Sequence, residues 1–282
     1  MNLQRHNMTP EQAAYEIPEI WEIDWFDAID RERVKLFADK IPEEVKSLLD
    51  VGCGNGLFLN YLKSRRGISE YRLCGADRSQ AALKHVQTEK YIASIDRLPF
   101  NDNEFDIATS LEVLEHLPST IYYESLKEIC RIARKYVLIG VPFNQDIRNS
   151  LIECPYCGCR FNADYHLRSF SEKIMTNLFD AHSFHCKEIF FIHPIKIRMP
   201  WFYNLCLPIS VLKNTYRIPD LKRYPGYAVC PACFYENRKN LELRNKHVMC
   251  ERNIMRRILS RLCGGFIHMQ SYRWIGALYE KK

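Results

Sequence analysis

A nine-residue stretch with three glycines at alternate positions, LLDVGCGNG at 48–56, constrains the fold of this chain more than any other segment. The apolar run 47–51 predicts a short strand before the glycines, and 57–63 predicts a helix after them. Glycine adopts positive φ angles and lets the backbone approach a ligand closely. Amide N–H groups at the start of the following helix then remain available to bind it. The stretch therefore predicts a strand–turn–helix unit that binds a ligand with its backbone.

Strand and helix patterns alternate along the rest of the chain. Further strands are predicted at 71–77, 91–95, 105–110, 135–141, 185–193 and 272–279, and helices at 79–88 and 119–134. A capping box at 169–172 predicts another helix, which extends to Ala181. Alternation of this kind is typical of a parallel sheet with right-handed crossovers. The chain is therefore predicted to be an α/β protein.

The glycine stretch fits the dinucleotide pattern G-x-G-x-x-G poorly, because Phe58 and Leu59 stand where a further glycine is needed. The stretch 48–56, with two apolar residues before Asp50 and three alternating glycines after it, instead resembles the first motif of class I S-adenosylmethionine-dependent methyltransferases. The segments LPF and FD within 98–106, and EVLEH at 112–116, resemble small-molecule enzymes of that family. The resemblance covers about residues 45–193 and 271–280. It implies a Rossmann-like seven-stranded sheet, an S-adenosylmethionine cofactor and a methyl-transfer activity.

The resemblance also implies a set of cofactor-binding residues. Asp77, at the tip of the second strand, matches an acid that contacts the cofactor ribose, and a carboxylate can accept two hydrogen bonds from vicinal hydroxyls. Relatives often contact the adenine with an acid where this chain has Ser94, so either Asp96 or backbone N–H groups would read that base. The full expected set is Asp50, Gly52, Cys53, Gly54, Asn55, Gly56, Asp77, Arg78, Ser94, Ile95, Asp96, Ser110 and Leu111.

Four ionisable residues are candidate catalytic residues on the substrate side. Glu112, Glu115 and His116 follow the fourth strand, and His166 precedes the capping box. A minority of relatives hold a divalent cation with the first three, whereas in others these residues only shape the pocket. His116 or His166 could remove a proton from a hydroxyl nucleophile, because an unperturbed imidazole titrates near neutral pH. A purely structural role for the loop histidine is the alternative.

Two Cys-Pro-x-Cys turns, at 154–157 and 230–233, lie far apart in a chain with 12 cysteines. Disulfides are rare in reducing compartments, which favours metal binding by these cysteines. Cys154, Cys157, Cys230 and Cys233 would supply the four sulfurs of a structural zinc site. Redox pairs or plain turns are the alternatives. Both turns follow the carboxyl ends of strands, so zinc would staple a lid over the mouth of the substrate site.

The predicted organisation has three parts. An N-terminal cap and helix, 1–44, precedes a Rossmann-like domain formed by 45–193 and 268–282, and insertions at 142–168 and 194–267 form the lid. Aromatic residues in the cap, such as Tyr15 and Trp21, are expected to fill the core rather than cover the cofactor. Apolar runs fall short of the roughly 20 residues that span a bilayer, and the N-terminus lacks a signal-peptide core. We therefore expect a cytoplasmic protein.

Positive charge is concentrated in the second insertion. Residues 194–265 contain 14 lysines and arginines against 4 acidic residues, whereas the rest of the chain contains 26 and 30. The imbalance favours an anionic partner, although a soluble basic surface explains it equally well. The apolar segment 197–212 and a predicted basic amphipathic helix at 252–267 fit peripheral binding to an anionic membrane or a lipid-linked substrate.

The motifs favour a small-molecule acceptor, with methylation of a hydroxyl oxygen on a metabolite, lipid or saccharide. An RNA methyltransferase that uses the basic insertion is the first alternative, because basic residues with interspersed aromatics can bind phosphates and stack on bases. A non-catalytic zinc-containing binding protein is the second.

Overall fold

The computed structural model describes residues 15–21, 28–66, 71–200, 228–237 and 266–282. Its helices are α1 (Pro18–Trp21), α2 (Ala28–Asp39), α3 (Leu57–Arg66), α4 (Gln80–Leu83), α5 (Ser119–Ile132) and α6 (Glu172–Thr176). Its strands are β1 (Ser47–Val51), β2 (Arg72–Asp77), β3 (Glu89–Ile92), β4 (Phe105–Leu111), β5 (Ala133–Pro142), β6 (Leu151–Glu153), β7 (Arg160–Asn162), β8 (Phe184–Pro200) and β9 (Phe266–Lys281). Short 3-10 turns lie at Leu114–His116, Ile147–Ser150 and Asp180–His182.

A seven-stranded sheet with the order β3-β2-β1-β4-β5-β9-β8 forms the centre of the fold. Strands β1 to β5 pair in parallel, and β9 runs antiparallel to both β5 and β8. The predicted Rossmann-like seven-stranded α/β sheet is confirmed. The strand order reverses between β1 and β4, and ligands of open α/β sheets bind in the crevice at such a reversal.

Apolar side chains cover both faces of the sheet. One buried cluster contains Phe105, Phe179 and Tyr279, and the other contains Phe37 and Leu59. The Phe37 ring packs directly onto the backbone of β5, because a Cβ at Gly140 would overlap it. This contact seats α2 on the sheet and brings Arg33, one turn earlier in α2, toward the carboxyl ends of the strands.

Some element boundaries differ from the prediction. Strand β3 begins at Glu89, because it is an edge strand with four exposed side chains and has no apolar alternation to mark its start. Helix α4 is a single turn, and helix α6 ends at Thr176 rather than at Ala181. The predicted cap of α6 was placed two residues too early, since the Ser171 side chain, not that of Ser169, accepts a hydrogen bond from the N–H of Ile174.

Strands β8 and β9 are longer than expected and pair from Phe184↔Lys281 to Pro200↔Phe266. Residues 266–267, predicted as the end of a basic helix, therefore belong to β9. The remaining parts of the apolar segment and of the predicted basic helix, 201–212 and 252–265, lie outside the described residues. Within the part of the chain that the structure describes, no helix has the length and apolar character needed to cross a bilayer.

Candidate active site

The glycine turn between β1 and α3 forms the floor of a cleft at the carboxyl edge of the sheet. Gly52, Gly54 and Gly56 all have positive φ, at 75°, 53° and 76°. The N–H groups of Gly52 and Cys53 donate to the Ala76 carbonyl, at 2.7 and 3.2 Å, which holds the turn against β2. A Cβ at Gly52 would clash with Val113, so both the conformation and the close approach require glycine here.

The cleft encloses about 780 Å³ of empty volume, including solvent at its mouth. It runs from the glycine turn past the tip of β2 to the segment that follows β4. Ala93, Ser94 and Ile95, after β3, form one wall, and Val113 and His116 lie on the opposite side.

Asp77 faces this cleft from the end of β2. Its two carboxylate oxygens accept hydrogen bonds from the N–H groups of Gly54 and Ser79, each at 2.8 Å. Burial raises the pKa of Asp77 above its ordinary value, although these two N–H donors oppose the shift. A carboxylate has about four acceptor positions. Asp77 therefore braces the glycine turn and retains capacity to accept hydrogen bonds from a ligand in the cleft.

Six of the expected cofactor residues line the cleft: Gly52, Gly54, Asp77, Arg78, Ser94 and Ile95. The other seven, Asp50, Cys53, Asn55, Gly56, Asp96, Ser110 and Leu111, are not part of its lining. Ser110 is buried, and its hydroxyl donates to the Val51 carbonyl at 3.0 Å. Glu112 and Val113 lie in the cleft instead, because the chain turns into it only after β4 has ended. Asp96 accepts a hydrogen bond from the Ser94 hydroxyl beside the cleft.

Asp50 lies beneath the turn rather than in the cleft. Its carboxylate is 3% exposed and accepts a hydrogen bond from the Thr109 hydroxyl at 2.6 Å. Burial raises the pKa of Asp50 to about 7, and the charge of Asp77 adds to the shift. Between about pH 4 and pH 7 the folded protein keeps this proton while the unfolded chain releases it. The contribution of Asp50 to stability is therefore favourable at acid pH and declines as the pH rises through this window.

The Asp50→Asn variant, which cannot ionise, should escape this loss of stability. Its free energy of unfolding relative to the parent protein should improve by about 2–3 kcal/mol between about pH 5 and about pH 8, since each pKa unit corresponds to about 1.4 kcal/mol. Chemical denaturation of both proteins at the two pH values, without added ligand, measures the difference. The same relative stability at both pH values would contradict the raised pKa.

Tyr15 and Trp21 from the N-terminal cap line the cleft, rather than filling the core as we expected. The Trp21 indole N–H donates to the Tyr15 carbonyl at 2.6 Å. The Glu16 carboxylate accepts hydrogen bonds from the N–H groups of Gln80 and Ala81, at 2.9 and 3.1 Å, which anchors the cap on the first turn of α4. The aromatic composition of the cap was the signal for this role, but it does not distinguish a cleft wall from a core. Trp25 and Phe26 lie outside the described residues.

Glu112 is held away from the other candidate catalytic residues. Its backbone is left-handed, with φ 59°, which is uncommon for a side chain of this size. Its carboxylate accepts a hydrogen bond from the Trp274 indole N–H at 2.9 Å and lies 3.4 Å from the Arg33 guanidinium. Burial raises the pKa of Glu112, and Arg33 opposes that shift. Glu112 thus links the cleft wall to α2 and β9.

Glu115, His116 and His166 converge beside the cleft. Their candidate ligand atoms all lie within 4.8 Å of one another, and the two imidazole rings are 4.6 Å apart between centroids. Glu115 is fully buried, and burial together with the nearby Glu112 raises the pKa of its carboxyl well above the ordinary value. Burial lowers the pKa of His116 to about 3 and also lowers that of His166. Both imidazoles are therefore neutral near pH 7.

The four cysteines of the two Cys-Pro-x-Cys turns form a compact cluster. Their sulfur atoms all lie within 4.8 Å of one another, and the pairs Cys154–Cys233 and Cys157–Cys230 are 3.5 Å apart. A tetrahedron of sulfurs around zinc, with bonds of about 2.3 Å, has edges of about 3.8 Å. A backbone hydrogen bond from Cys159 lowers the pKa of Cys157 to about 7, whereas burial raises the pKa of Cys230. Distances and donor type therefore fit zinc.

The cysteine cluster is tied directly to the loop that carries His166. The Tyr165 hydroxyl accepts a hydrogen bond from the N–H of Val229 at 2.7 Å and donates to its carbonyl at 3.0 Å. Val229 immediately precedes Cys230. On the other side of His166, the N–H of Leu167 donates to the carbonyl of Glu115 at 2.8 Å. The loop at 165–167 is thus held between the cysteine cluster and the turn that follows β4.

Comparison with known proteins agrees with this site. A family model described as a methyltransferase domain matches residues 49–139, from β1 to β5. An uncharacterised protein of Methanocaldococcus jannaschii is 36% identical over 119 residues, covering 41% of this chain and 49% of the relative. The chloroplastic tocopherol O-methyltransferase of Arabidopsis thaliana is 32% identical over 100 residues, covering 32% of this chain and 28% of the relative. The chain thus spans about half or less of the length of these curated relatives.

Among solved structures, a chain from the complex between the Haloferax volcanii Trm112 methyltransferase activator and a methyltransferase aligns with a TM-score of 0.53. The alignment covers 97% of this chain and 98% of the other. Because the identity is only 16%, it supports a shared fold and nothing more. The matched domain contains the glycine turn, Asp77 and the strands that frame the cleft. Residues 49–139 thus match a methyltransferase domain, and the sheet that contains them has the order and glycine turn of the class I methyltransferase fold.

Proposed function

We propose that the protein is an enzyme that transfers a methyl group from S-adenosylmethionine to a hydroxyl oxygen of a small or lipid- or saccharide-linked molecule. The observation that carries the proposal is the continuous cleft from the glycine turn and Asp77 to His116. The bare backbone of Gly52 and Gly54 admits the cofactor closely, and Asp77 retains acceptor capacity for its ribose. Ser94 and Ile95 form the wall for the adenine, and Tyr15 and Trp21 cover the mouth. When bound, the cofactor supplies an electrophilic methyl group.

The residues of the chain orient the acceptor and take up its proton. Alignment of two reactants in one cleft is itself a large source of acceleration. A hydroxyl nucleophile also needs a proton acceptor near it. His116 borders the cleft, but a pKa of about 3 makes it a weak base. His166 lies behind it, and its ring contacts His116 edge to face. His116, which borders the cleft, and His166, which contacts it, are the two candidates for the general base.

The cysteine cluster supports a structural zinc that orders a lid over the substrate side. Ile152 and Phe161 pack with Ala228 and Cys230 in a small cluster of their own, separate from the two clusters on the sheet. So small a cluster buries little apolar area, and metal binding commonly provides the folding free energy of such modules. The lid would combine the described parts of the two insertions, 142–168 and 228–237. Zinc would also hold Tyr165 and His166 in place through Val229.

The similarity to a tocopherol O-methyltransferase supports an oxygen acceptor on a lipophilic small molecule over RNA. An RNA methyltransferase remains the second candidate because of the basic segment 194–265, and binding of RNA that weakens steeply with salt would favour it. The same segment supports peripheral contact with an anionic membrane. A non-catalytic binding protein is the third candidate, and the intact turn and Asp77 argue against it.

A two-step experiment tests the proposal. Calorimetry with S-adenosylhomocysteine should show one binding site, and labelled S-adenosylmethionine should transfer methyl groups to hydroxyl compounds in a metabolite extract, identified by mass spectrometry. His166→Gln should slow transfer while leaving the affinity for S-adenosylhomocysteine unchanged. Absence of S-adenosylhomocysteine binding by zinc-loaded, folded protein would refute the proposed methyltransferase activity. Incorporation of labelled methyl groups into RNA alone would show that the acceptor is RNA and not a small molecule.

A further inference from the structure

We infer that zinc at the cysteine cluster controls cofactor binding, because Val229, the residue before Cys230, holds the N-terminal cap over the cleft. Tyr15 and Trp21 of the described cap, 15–21, line that cleft. If zinc fixes the cap there, zinc and the cofactor each strengthen the binding of the other. The position of the cap follows from its contacts alone, whereas the effect on the cofactor rests on the proposed function.

Ile17 and Val229 form a buried apolar contact between the cap and the lid. Ile17 is 5% exposed and Val229 is 4% exposed, and Trp21 and Tyr165 pack against this pair. The group is separate from the two apolar clusters on the faces of the sheet. On this side the cap is therefore stabilised by burial against the lid and not by the core of the domain.

The aromatic rings of the cap transmit this contact to both halves of the cleft. The indole ring of Trp21 packs onto the glycine turn, since a Cβ at Gly54 would lie 3.2 Å from it. The centroid of the Tyr15 ring lies 6.4 Å from that of Tyr165 and 6.3 Å from that of His116. A shift of the cap relative to the lid would therefore move the rings that border the cofactor and the acceptor.

The other side of the cap is attached to α4 independently of the cysteines. The Ser79 hydroxyl donates to the Tyr15 carbonyl at 2.9 Å, and the Glu16 carboxylate accepts hydrogen bonds from the first turn of the same helix. The cap thus bridges the cleft from α4 to the lid. Loss of the Ile17–Val229 contact would leave the cap attached at one side only.

Zinc would fix Val229 through its neighbour in the chain. The N–H of Cys230 donates to the Tyr235 carbonyl at 2.8 Å, and its carbonyl accepts from the N–H of Phe234 at 3.0 Å, so the turn is closed around the thiol. A metal that joins Cys230 to the first cysteine turn fixes this turn in the lid. Coupling between two binding sites is reciprocal, so the factor by which zinc tightens cofactor binding also applies to zinc when the cofactor binds.

Calorimetry with S-adenosylhomocysteine on zinc-loaded and chelator-stripped full-length protein tests the coupling. Zinc should tighten binding at least about fivefold, the lower end of typical coupling between sites. Hydrogen exchange gives a second measurement that needs no cofactor. Amides within 15–21 should be protected in the zinc-loaded protein and should exchange faster after zinc is removed. Protection of β1, β4 and β5 reports that the sheet stays folded.

Ile17→Ala removes the cap side of the contact and leaves the cysteines and the lining of the cleft in place. The variant should keep one equivalent of zinc, but its affinity for S-adenosylhomocysteine should become nearly independent of zinc. Its amides within 15–21 should exchange faster than those of the parent protein. Pro18→Ala is the matched control, because Pro18 is the next residue and is exposed, and it should retain the coupling of the parent protein.

Equal affinity of the parent protein for S-adenosylhomocysteine with and without zinc would overturn the coupling and leave the methyltransferase proposal intact. So would an Ile17→Ala protein with the zinc dependence of the parent. If neither form binds S-adenosylhomocysteine, the cofactor proposal fails, and exchange within 15–21 decides whether zinc holds the cap. Should the stripped protein lose its sheet, the comparison of zinc-loaded Ile17→Ala with Pro18→Ala decides, by weaker binding and faster exchange in the former.

Discussion

Replacing Cys230 by serine should remove the cysteine-bound zinc and disorder the lid. Cys230 is fully buried, and its sulfur lies 3.5 Å from that of Cys157, so its replacement leaves only three sulfur ligands for a tetrahedral site that needs four. Structural zinc contributes roughly 10–16 kcal/mol to the folding of small peptide modules, which makes this the largest effect we expect from a single side chain. Zinc released by titrating the thiols with a mercurial should fall from one equivalent to nearly none.

Hydrogen exchange should show the structural consequence of that substitution. Amides at 151–167 and 228–237 should exchange much faster in Cys230→Ser, while β1, β4 and β5 keep their protection. Cys159→Ser is the matched control, since Cys159 belongs to the same turn but its sulfur lies outside the cluster. A Cys230→Ser protein that keeps its zinc, or a metal-free parent protein with a protected lid, would contradict the zinc-stapled lid.

Replacing Asp77 by alanine should weaken the binding of S-adenosylhomocysteine by about 1–3 kcal/mol, or roughly 5- to 150-fold. The substitution removes the acceptor for the ribose hydroxyls. It also frees the N–H groups of Gly54 and Ser79, which the carboxylate now holds at 2.8 Å. Affinity is therefore lost through a missing contact and through a glycine turn that is less well ordered. Isothermal titration calorimetry measures the change.

Asp77→Asn separates the two causes. The asparagine side chain keeps an acceptor oxygen for one backbone N–H but loses the charge and the bidentate acceptor, so its loss of affinity should be intermediate. Ser94→Ala, at the adenine wall, should weaken binding less than Asp77→Ala, because the Ser94 hydroxyl already donates to Asp96. Equal affinity in Asp77→Ala and the parent protein would remove Asp77 from the cofactor site.

The sequence predicts the sheet and the centre of the cofactor site because both depend on local patterns. Strand β1 and the glycine turn are contiguous, and Asp77 ends the next strand of the same strand–helix–strand unit, so their spacing reflects backbone geometry. The boundaries of β3 and α6 were missed for the opposite reason. An exposed edge strand has no apolar alternation, and two serines two residues apart offer the same side-chain cap.

Contacts between distant segments could not be predicted from local patterns. Tyr15 and Trp21 reach the cleft because Glu16 caps α4, some 64 residues later in the chain. His166 meets Glu115 because the loop at 165–167 is held by Val229. The four cysteines are the exception. Their repeated Cys-Pro-x-Cys motif identifies the members of the cluster even when the fold of the intervening chain is unknown.

The position of β9 has a consequence for how the protein folds. Its residues pair with β5 as distant partners, such as Leu138 with Leu278, yet the strand lies inside the sheet between β5 and β8. Insertion of so remote a segment is entropically slow, since a long loop must close before any contact stabilises it. Metal held between Cys154 and Cys233 would close most of that loop in advance. Zinc supply would then govern the rate at which newly made chains mature, in addition to the stability of the finished protein.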